Sequence, residues 1–464
     1  MAIPRDIEQA FDSYLKAKQL AELKQYVLDN PSAKGYLSEK LYEVMNRLYV
    51  GKETLIQCEM LLEAGADPNY INNKNKNDTN SILQSSIRMD SPTFIESLLR
   101  YGAKPDLYVT FNDWRAANTD NASPEIQLSS MIWRKKLPLQ LAVRKYINTE
   151  YKANANIKKI CEILAKATIT KEIEQHIIKI LENQYKVLEE AVKNAIQNAR
   201  KSNKQLIIMV GETHNGISSL IIEAMLILIA KQNGIETVLT EDTKWIKKSI
   251  EDDDYYPCCG GKWLISLPIH KLIKFLNMQS IPVDLGHFGA KKIGEKYDDY
   301  EELKKIKSDF DPQSNEGVKY RNEVMRDVII GGIKQDSLLF VGCGHLYGLL
   351  EETPLPDDTI TVMAVNACYS EMKIELILHK HGKLEEKDKQ FVLESNKIIQ
   401  ANEEGLDLIS SLLNPEIAID YIRKVHKEFL IKNNLPEVGR LSLFQNNTCD
   451  DEKNNPIQSP RLNF

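Results

Sequence analysis

The sequence predicts an all-helical N-terminal array, an α/β domain with a mainly parallel sheet, and a helical C-terminal tail. Three observations carry this reading. Residues 1–170 read as helices in pairs, separated by turn signals. From 206 to about 380, short apolar runs alternate with helical patterns, the signature of an α/β domain. Two of those runs also end alike. Leu206-Ile207-Ile208-Met209-Val210 leads into Gly211-Glu212-Thr213-His214, and Leu338-Leu339-Phe340-Val341 leads into Gly342-Cys343-Gly344-His345. In both, Gly-x-x-His directly follows a buried-strand pattern, and strand ends at a sheet edge are where open α/β folds place their chemistry. One such motif is common by chance; two in one domain look like the halves of a site.

In chain order, Ile7–Leu28 and Leu37–Tyr49 carry helical spacing, with Asn30-Pro31-Ser32 as the break between them. Residues 1–34 are expected to form a helical cap. Met60-Leu61-Leu62-Glu63-Ala64-Gly65-Ala66-Asp67-Pro68-Asn69 is echoed by Ser97-Leu98-Leu99-Arg100-Tyr101-Gly102-Ala103-Lys104-Pro105-Asp106. Gly65 and Gly102 stand 37 residues apart, and each is expected to end a helix in a left-handed conformation. Helix-start patterns fall at Asn80–Ser85 and, more clearly, at Leu137-Pro138-Leu139-Gln140-Leu141-Ala142. On these motifs, residues 35–170 resemble the ankyrin-repeat family, whose period is about 33 residues. The resemblance implies that Leu61 and Leu62 pack between helix pairs. The two start patterns lie 57 residues apart, which places an insertion of about two dozen residues in a hairpin finger near 107–136. It carries Tyr108, Phe111, Trp114, Arg115 and Trp133. Aromatic and Arg side chains dominate interface anchors, so these five are candidate partner-binding residues; a loop packing its aromatics on its own repeats is the alternative.

Residues 171–205, with a helical stretch Ile173–Ala199, read as a connecting helix. The expected strands are Leu206–Val210, Thr237–Thr240, Ile281–Leu285, Ser337–Val341 and Ile360–Asn366, with Ile374–Leu378 as a sixth. Helices fit Ser218–Gln232, Pro268–Met278 and Arg321–Ile333. Residues 381–464 read as a polar helical extension and a flexible tail, disordered over Gln445–Phe464.

Four features of 205–370 arrive in order: Gly211-Glu212-Thr213-His214, Glu241 past a strand, Arg321-Asn322-Glu323-Val324-Met325 opening a helix, and Gly342-Cys343-Gly344-His345. This set resembles the superfamily that groups TraB/Tiki-type, erythromycin esterase-like and ChaN-like proteins. The resemblance implies paired site histidines at His214 and His345 and a strand-end acid at Glu241. It also implies the acid of a Gly-Glu-x-His at Glu212, and at Arg321 an arginine holding an acid or an anionic group. Members include metal-dependent proteases, esterases and a haem-binding protein, so the reaction is less fixed than the site. Imidazole binds divalent metals or acts as a base near neutral pH, and a neighbouring carboxylate orients it. His214, Glu241 and His345 could thus hold Mn or Zn with an open water position. Without metal, either histidine could activate water, with Arg321 on the developing oxyanion. The expected activity is that of a protease- or esterase-like hydrolase. An inactive domain is an alternative, as is a structural role in which both histidines merely finish strands.

A rival chemistry uses a thiolate. Cys343 lies two residues before His345, and Cys258 and Cys259 sit in the Gly-rich Tyr256–Trp263 stretch. Cys343 or Cys258 would be the nucleophile, His214, His270 or His287 the base, and Asp284 or Glu241 the orienter. No known cysteine-protease signature matches either position, and cysteine is often simply buried. Asp284 and His287 close a strand and can join the same edge.

The 60 basic and 66 acidic residues give a formal net charge of -6, so no global nucleic-acid field is implied. The longest apolar run, Leu220–Ala230, holds Glu223 and is too short to span a membrane. No secretory signal opens the chain. Seven scattered cysteines form no disulfide framework, which points to a reducing compartment. Eukaryotic-type repeats joined to a bacterial-type α/β domain, in a Lys/Asn/Ile-rich chain, resemble the ankyrin effectors that intracellular bacteria such as Legionella inject through type IV secretion. That resemblance implies a virulence effector, monomeric, acting in host cytosol or nucleus, with a host protein as partner.

Overall fold

The computed structural model describes residues 4–45, 52–71, 81–105, 109–110, 135–148, 155–212, 217–241, 262–284, 314–367, 375–379, 386–401, 406, 409–410 and 412–436. The chain is mostly helical, and its sheet has five parallel strands with a sixth, antiparallel one at one edge.

The N-terminal helices are α1 (Arg5–Ala17), α2 (Leu20–Asp29), α3 (Pro31–Met45), α4 (Lys52–Glu63), α5 (Ile82–Ser86), α6 (Pro92–Arg100), α7 (Pro138–Asn148) and α8 (Ala155–Thr168). α1 packs on α2, α2 on α3, α3 on α4 and α5 on α6, while α8 packs on both α6 and α7. The helix expected over Ile7–Leu28 is in fact two, because Lys18 takes a left-handed conformation with φ 57°. Pro31 does not separate helices by a loop; it is the first residue of α3, where its missing N–H costs nothing. Lys40 has no exposed side-chain surface and reaches Asp12 of α1 at 2.8 Å, tying α3 back to α1.

Gly65 and Gly102 do adopt positive φ, 101° and 90°. After each, the same pair of turn bonds closes the helix: Ala66 N–H to the Leu61 carbonyl at 3.0 Å, Ala103 N–H to the Leu98 carbonyl at 2.9 Å. Leu61, Leu62 and Leu98 are buried, whereas Leu99 is only partly so. The two helix-start patterns also share a device. Gln84 accepts from the Ser81 N–H at 3.0 Å and Gln140 from the Leu137 N–H at 2.9 Å. Asn69 joins the two motif copies, donating from Nδ2 to the Gly102 carbonyl at 2.9 Å and accepting from the Lys104 N–H at 2.7 Å. Asn69→Ala removes both bonds and is expected to cost about 1–2 kcal/mol in urea denaturation, at a net value near 1 kcal/mol per bond. The strands β1 (Val109–Thr110) and β2 (Lys135–Lys136) pair antiparallel at the base of the insertion. Tyr108, Phe111, Trp114, Arg115 and Trp133 lie outside the described residues.

Helix α9 (Lys171–Lys201) starts at Thr170, whose side chain caps the Ile173 N–H. It was expected as a connector, yet it packs along the sheet and buries Ile177, Leu181, Leu188 and Val192. The sheet strands are β3 (Gln205–Glu212), β4 (Thr237–Thr240), β5 (Gln279–Pro282), β6 (Ser337–Gly342), β7 (Ile360–Asn366) and β8 (Glu375–His379), in the order β5-β4-β6-β3-β7-β8. Side chains alternate between two cores. Leu206, Ile208, Val210, Leu338 and Phe340 face a core shared with α9, α10 (Ile217–Gln232), α11 (Lys262–Phe275) and the later helix α15 (Pro415–Lys432). Ile207, Met209, Leu339 and Val341 face the other, built with α12 (Asn315–Gly332) and α13 (Cys343–Tyr347). Burial on both faces explains why the strands read as unbroken apolar runs. Helix α10 is apolar all round because residues 217–230 are buried on every side. No helix of the described residues is long and apolar enough to cross a membrane.

The C-terminal region departs from the polar extension expected. Helix α14 (Glu386–Ala401) packs on β8, while α15 packs on α10 and buries Ala418, Ile422, Val425 and Leu430. Tyr146 of α7 donates to Glu416 at the start of α15 at 2.8 Å. The hydroxyl of Tyr185 of α9 meets His426 Nδ1 at 2.6 Å. Gln445–Phe464 lies outside the described residues.

Candidate functional site

Parallel strands bring their C-terminal ends to one edge, and each end delivers a polar residue. Glu212 ends β3 beside Gly342 of β6, and Gly211 pairs with Asn366 at the end of β7. Glu241 follows β4, Asp284 lies two residues past β5, and His345 sits in the short helix α13 that β6 runs into. The glycine of the first Gly-x-x-His allows that helix to approach. A Cβ at Gly211 would stand 2.6 Å from Leu346 Cδ2.

Arg321 holds the acids together. It was expected to open a helix, but it projects from the second turn of α12, which begins at Asn315 with Ser314 as its cap. Its Nε donates to Asp284 at 3.1 and 3.0 Å, and its Nη2 to Glu241 Oε1 at 2.6 Å and also to Asp284. Burial opposes the guanidinium charge, but Asp284 and then Glu241 outweigh it and hold the pKa above the ordinary value. Asp284 is only 1% exposed, so it depends on this partner. Glu241 Oε2 accepts from the Gly342 N–H at 2.7 Å, so each oxygen of Glu241 has a donor.

His345 is 5% exposed. Its Nδ1 lies 2.6 Å from Asn322 Oδ1, one residue after Arg321 on α12, and its Nε2 lies 3.5 Å from Glu241 Oε1. Asn366 donates to the Tyr347 hydroxyl at 3.4 Å on the same rim. Of the residues expected at the site, Glu241, Arg321 and His345 come into direct contact, with Asp284 joining them and Glu212 at the same edge. His214, His287 and Cys258 lie outside the described residues. His270 is buried in α11. Asn322 stands in the Arg321–Met325 element that carries the resemblance, but no role of its own was expected of it there.

Comparison with known proteins finds no matching family model, no matching curated protein and no matching solved structure. The site therefore stands on its geometry. Cys343 is disulfide-bonded, so in this state it offers no thiolate. Cys58 and Cys161 are buried thiols. Burial pushes the Cys161 thiol up to about 12, which leaves it inert. Of the expected metal set, Glu241 and His345 are brought together, with Arg321 Nη2 2.6 Å from Glu241 Oε1, and His214 lies outside the described residues. No group of three His, Cys, Asp or Glu among the described residues is arranged for a metal.

Proposed function

We propose that the protein is a bacterial effector with a hydrolase-like α/β domain, in which His345 is the general base toward an ester or amide. The observation that carries this is one arrangement. A buried histidine has Nδ1 engaged by Asn322 at 2.6 Å and turns Nε2 toward Glu241 at 3.5 Å, at the C-terminal edge of a parallel sheet. A water donating one proton to Nε2 and the other to Glu241 Oε1 would be oriented and activated for attack. Arg321 holds Glu241 in place through Nη2, so its role is to position the carboxylate rather than to meet an oxyanion. The reading needs neither a metal nor a thiolate.

The test is hydrolysis of a panel of p-nitrophenyl esters and fluorogenic peptides by the full chain and by His345→Gln. Turnover by the wild type that His345→Gln loses, with unchanged thermal unfolding, supports the reading. Turnover that chelators abolish would move the chemistry to a metal, and turnover blocked by iodoacetamide would move it to a thiolate such as Cys258. Equal background rates for both proteins on every substrate would reject hydrolysis.

The N-terminal array is, on this reading, an ankyrin-type docking surface for a host protein, delivered with the enzyme-like domain into host cytosol or nucleus. Support comes from the 37-residue recurrence of Leu-Leu-x-x-Gly-Ala with its left-handed glycines, and from Asn69 bridging the copies. A second reading, a binding effector without turnover, is favoured by the closed stem Val109–Thr110 with Lys135–Lys136 at the foot of the aromatic insertion. It predicts that Trp114→Ala weakens capture of the host partner while His345→Gln does not.

A further inference from the structure

We propose that Asn322 and Gly348 act as a positioning pair that holds His345 with its proton on Nδ1, leaving Nε2 as the basic nitrogen. The inference rests on the reading of His345 as the base and names what prepares it. An amide oxygen only accepts, so the 2.6 Å contact between Asn322 Oδ1 and His345 Nδ1 places a proton on the ring nitrogen. A neutral ring protonated there has its lone pair on Nε2, the atom that faces Glu241.

Two further observations show that Asn322 is held in this orientation. Asn322 is 1% exposed, and among the described residues its Nδ2 has no hydrogen-bond partner. Nothing about that amine favours the site, so the position is justified by the other end of the amide. The amine is accommodated only because residue 348 lacks a side chain: a Cβ there would stand 1.9 Å from Asn322 Nδ2 and 3.1 Å from its Cγ. Gly348 opens a π-helical turn, Gly348–Glu352. The Gly348 carbonyl is fixed by the Thr353 N–H at 2.8 Å and the Thr353 hydroxyl at 3.2 Å. Single π-turns recur at functional sites, where they re-aim the backbone. Here the turn sets a glycine against the amide that sets the ring. Asn322 and Gly348 touch no substrate in this account and act through His345.

The test reads the ring directly. Full-length protein labelled with ¹⁵N-histidine is followed by two-bond ¹H–¹⁵N spectra across pH, with His345 assigned by its loss in His345→Gln. The wild type should show His345 as the Nδ1–H tautomer. Asn322→Leu should release it to the Nε2–H form or a mixture. Gly348→Ala should do the same although Asn322 is chemically intact. Asn322→Asp should keep the Nδ1–H tautomer, because a carboxylate oxygen also only accepts. If Gly348→Ala does not fold, the two Asn322 variants still decide. A wild-type Nε2–H tautomer, or a tautomer unmoved in Asn322→Leu, overturns the proposal. A hydrolysis assay that fails while the tautomer shifts as expected rejects the catalytic reading and leaves the positioning pair intact.

Discussion

Arg321→Met is expected to destabilise the protein by about 3–5 kcal/mol, the range for removing one partner of a buried ion pair. The reason is what it leaves behind. Asp284 is 1% exposed and takes both Nε and Nη2 of Arg321, while Glu241 takes Nη2 as well. Methionine fills similar volume, so the loss comes from removing the guanidinium charge beside two largely buried carboxylates rather than from a cavity. The control is Arg321→Met combined with Asp284→Asn, which removes the buried charge from both sides. It should recover a substantial part of the loss, leaving the smaller cost of an imperfectly bonded amide. Urea denaturation of the three proteins at pH 7 measures this. A loss below about 1 kcal/mol in Arg321→Met, the value of a solvated surface pair, would show that water reaches the acids and that Arg321 does not organise the edge.

That cluster also marks how far the sequence could be read. The strands were legible because both faces are buried, so each appears as an apolar run, and parallel pairing then forces every run to end at one edge. His345 followed from its Gly-x-x-His at a strand end and Asp284 from closing the third strand, whereas Glu241 was implied by the resemblance. Their mutual arrangement followed from neither. Arg321 reads as the start of a helix from the apolar spacing after it, yet α12 begins six residues earlier at the Ser314 cap. The turn it sits on decides which acids it meets. Asn322 stood inside the Arg321–Met325 element without a role of its own, and Gly348 carried no pattern. Only the space left by the missing Gly348 Cβ, which would stand 1.9 Å from Asn322 Nδ2, links the two. The C-terminal helix α15 was read as a polar extension because its exposed positions are rich in charge. Its buried stripe meets α10, about two hundred residues earlier in the chain, and no local pattern reports such a partner. The repeat motifs were legible for the opposite reason: a glycine that must take positive φ leaves a mark in the sequence wherever the helix end recurs.

His426 on that same helix should make stability fall as the solution is acidified, by about 3 kcal/mol between pH 6.5 and 4. Burial pushes the His426 pKa down to about 4 from the ordinary 6.5. The folded state therefore keeps the ring neutral where the unfolded chain binds a proton. Each unit of such a difference is worth about 1.4 kcal/mol, and stability rises with pH wherever the unfolded state holds more protons. The contribution is fully present above pH 6.5, erodes below it, and levels off under the folded value. Structure supplies the reason for the neutral ring. Nδ1 lies 2.6 Å from the Tyr185 hydroxyl, a donor suited to an unprotonated nitrogen, and Tyr185 is itself pushed above its ordinary pKa by burial and by Glu189. Phe429 packs on Tyr185 with ring centroids 5.1 Å apart, which keeps water from the pair. A double variant, Tyr185→Phe with His426→Leu, removes donor and acceptor together and so leaves no orphaned buried group. Its stability at pH 7 should lie close to the wild type, and the difference between the two proteins should shift in the variant's favour as pH falls from 6.5 to 4. Parallel acid profiles for the two proteins would mean that the ring is already reached by solvent and protonates in place. The carboxylate cluster at Arg321 would then have to account for the acid sensitivity, which the Arg321→Met and Asp284→Asn proteins would report independently.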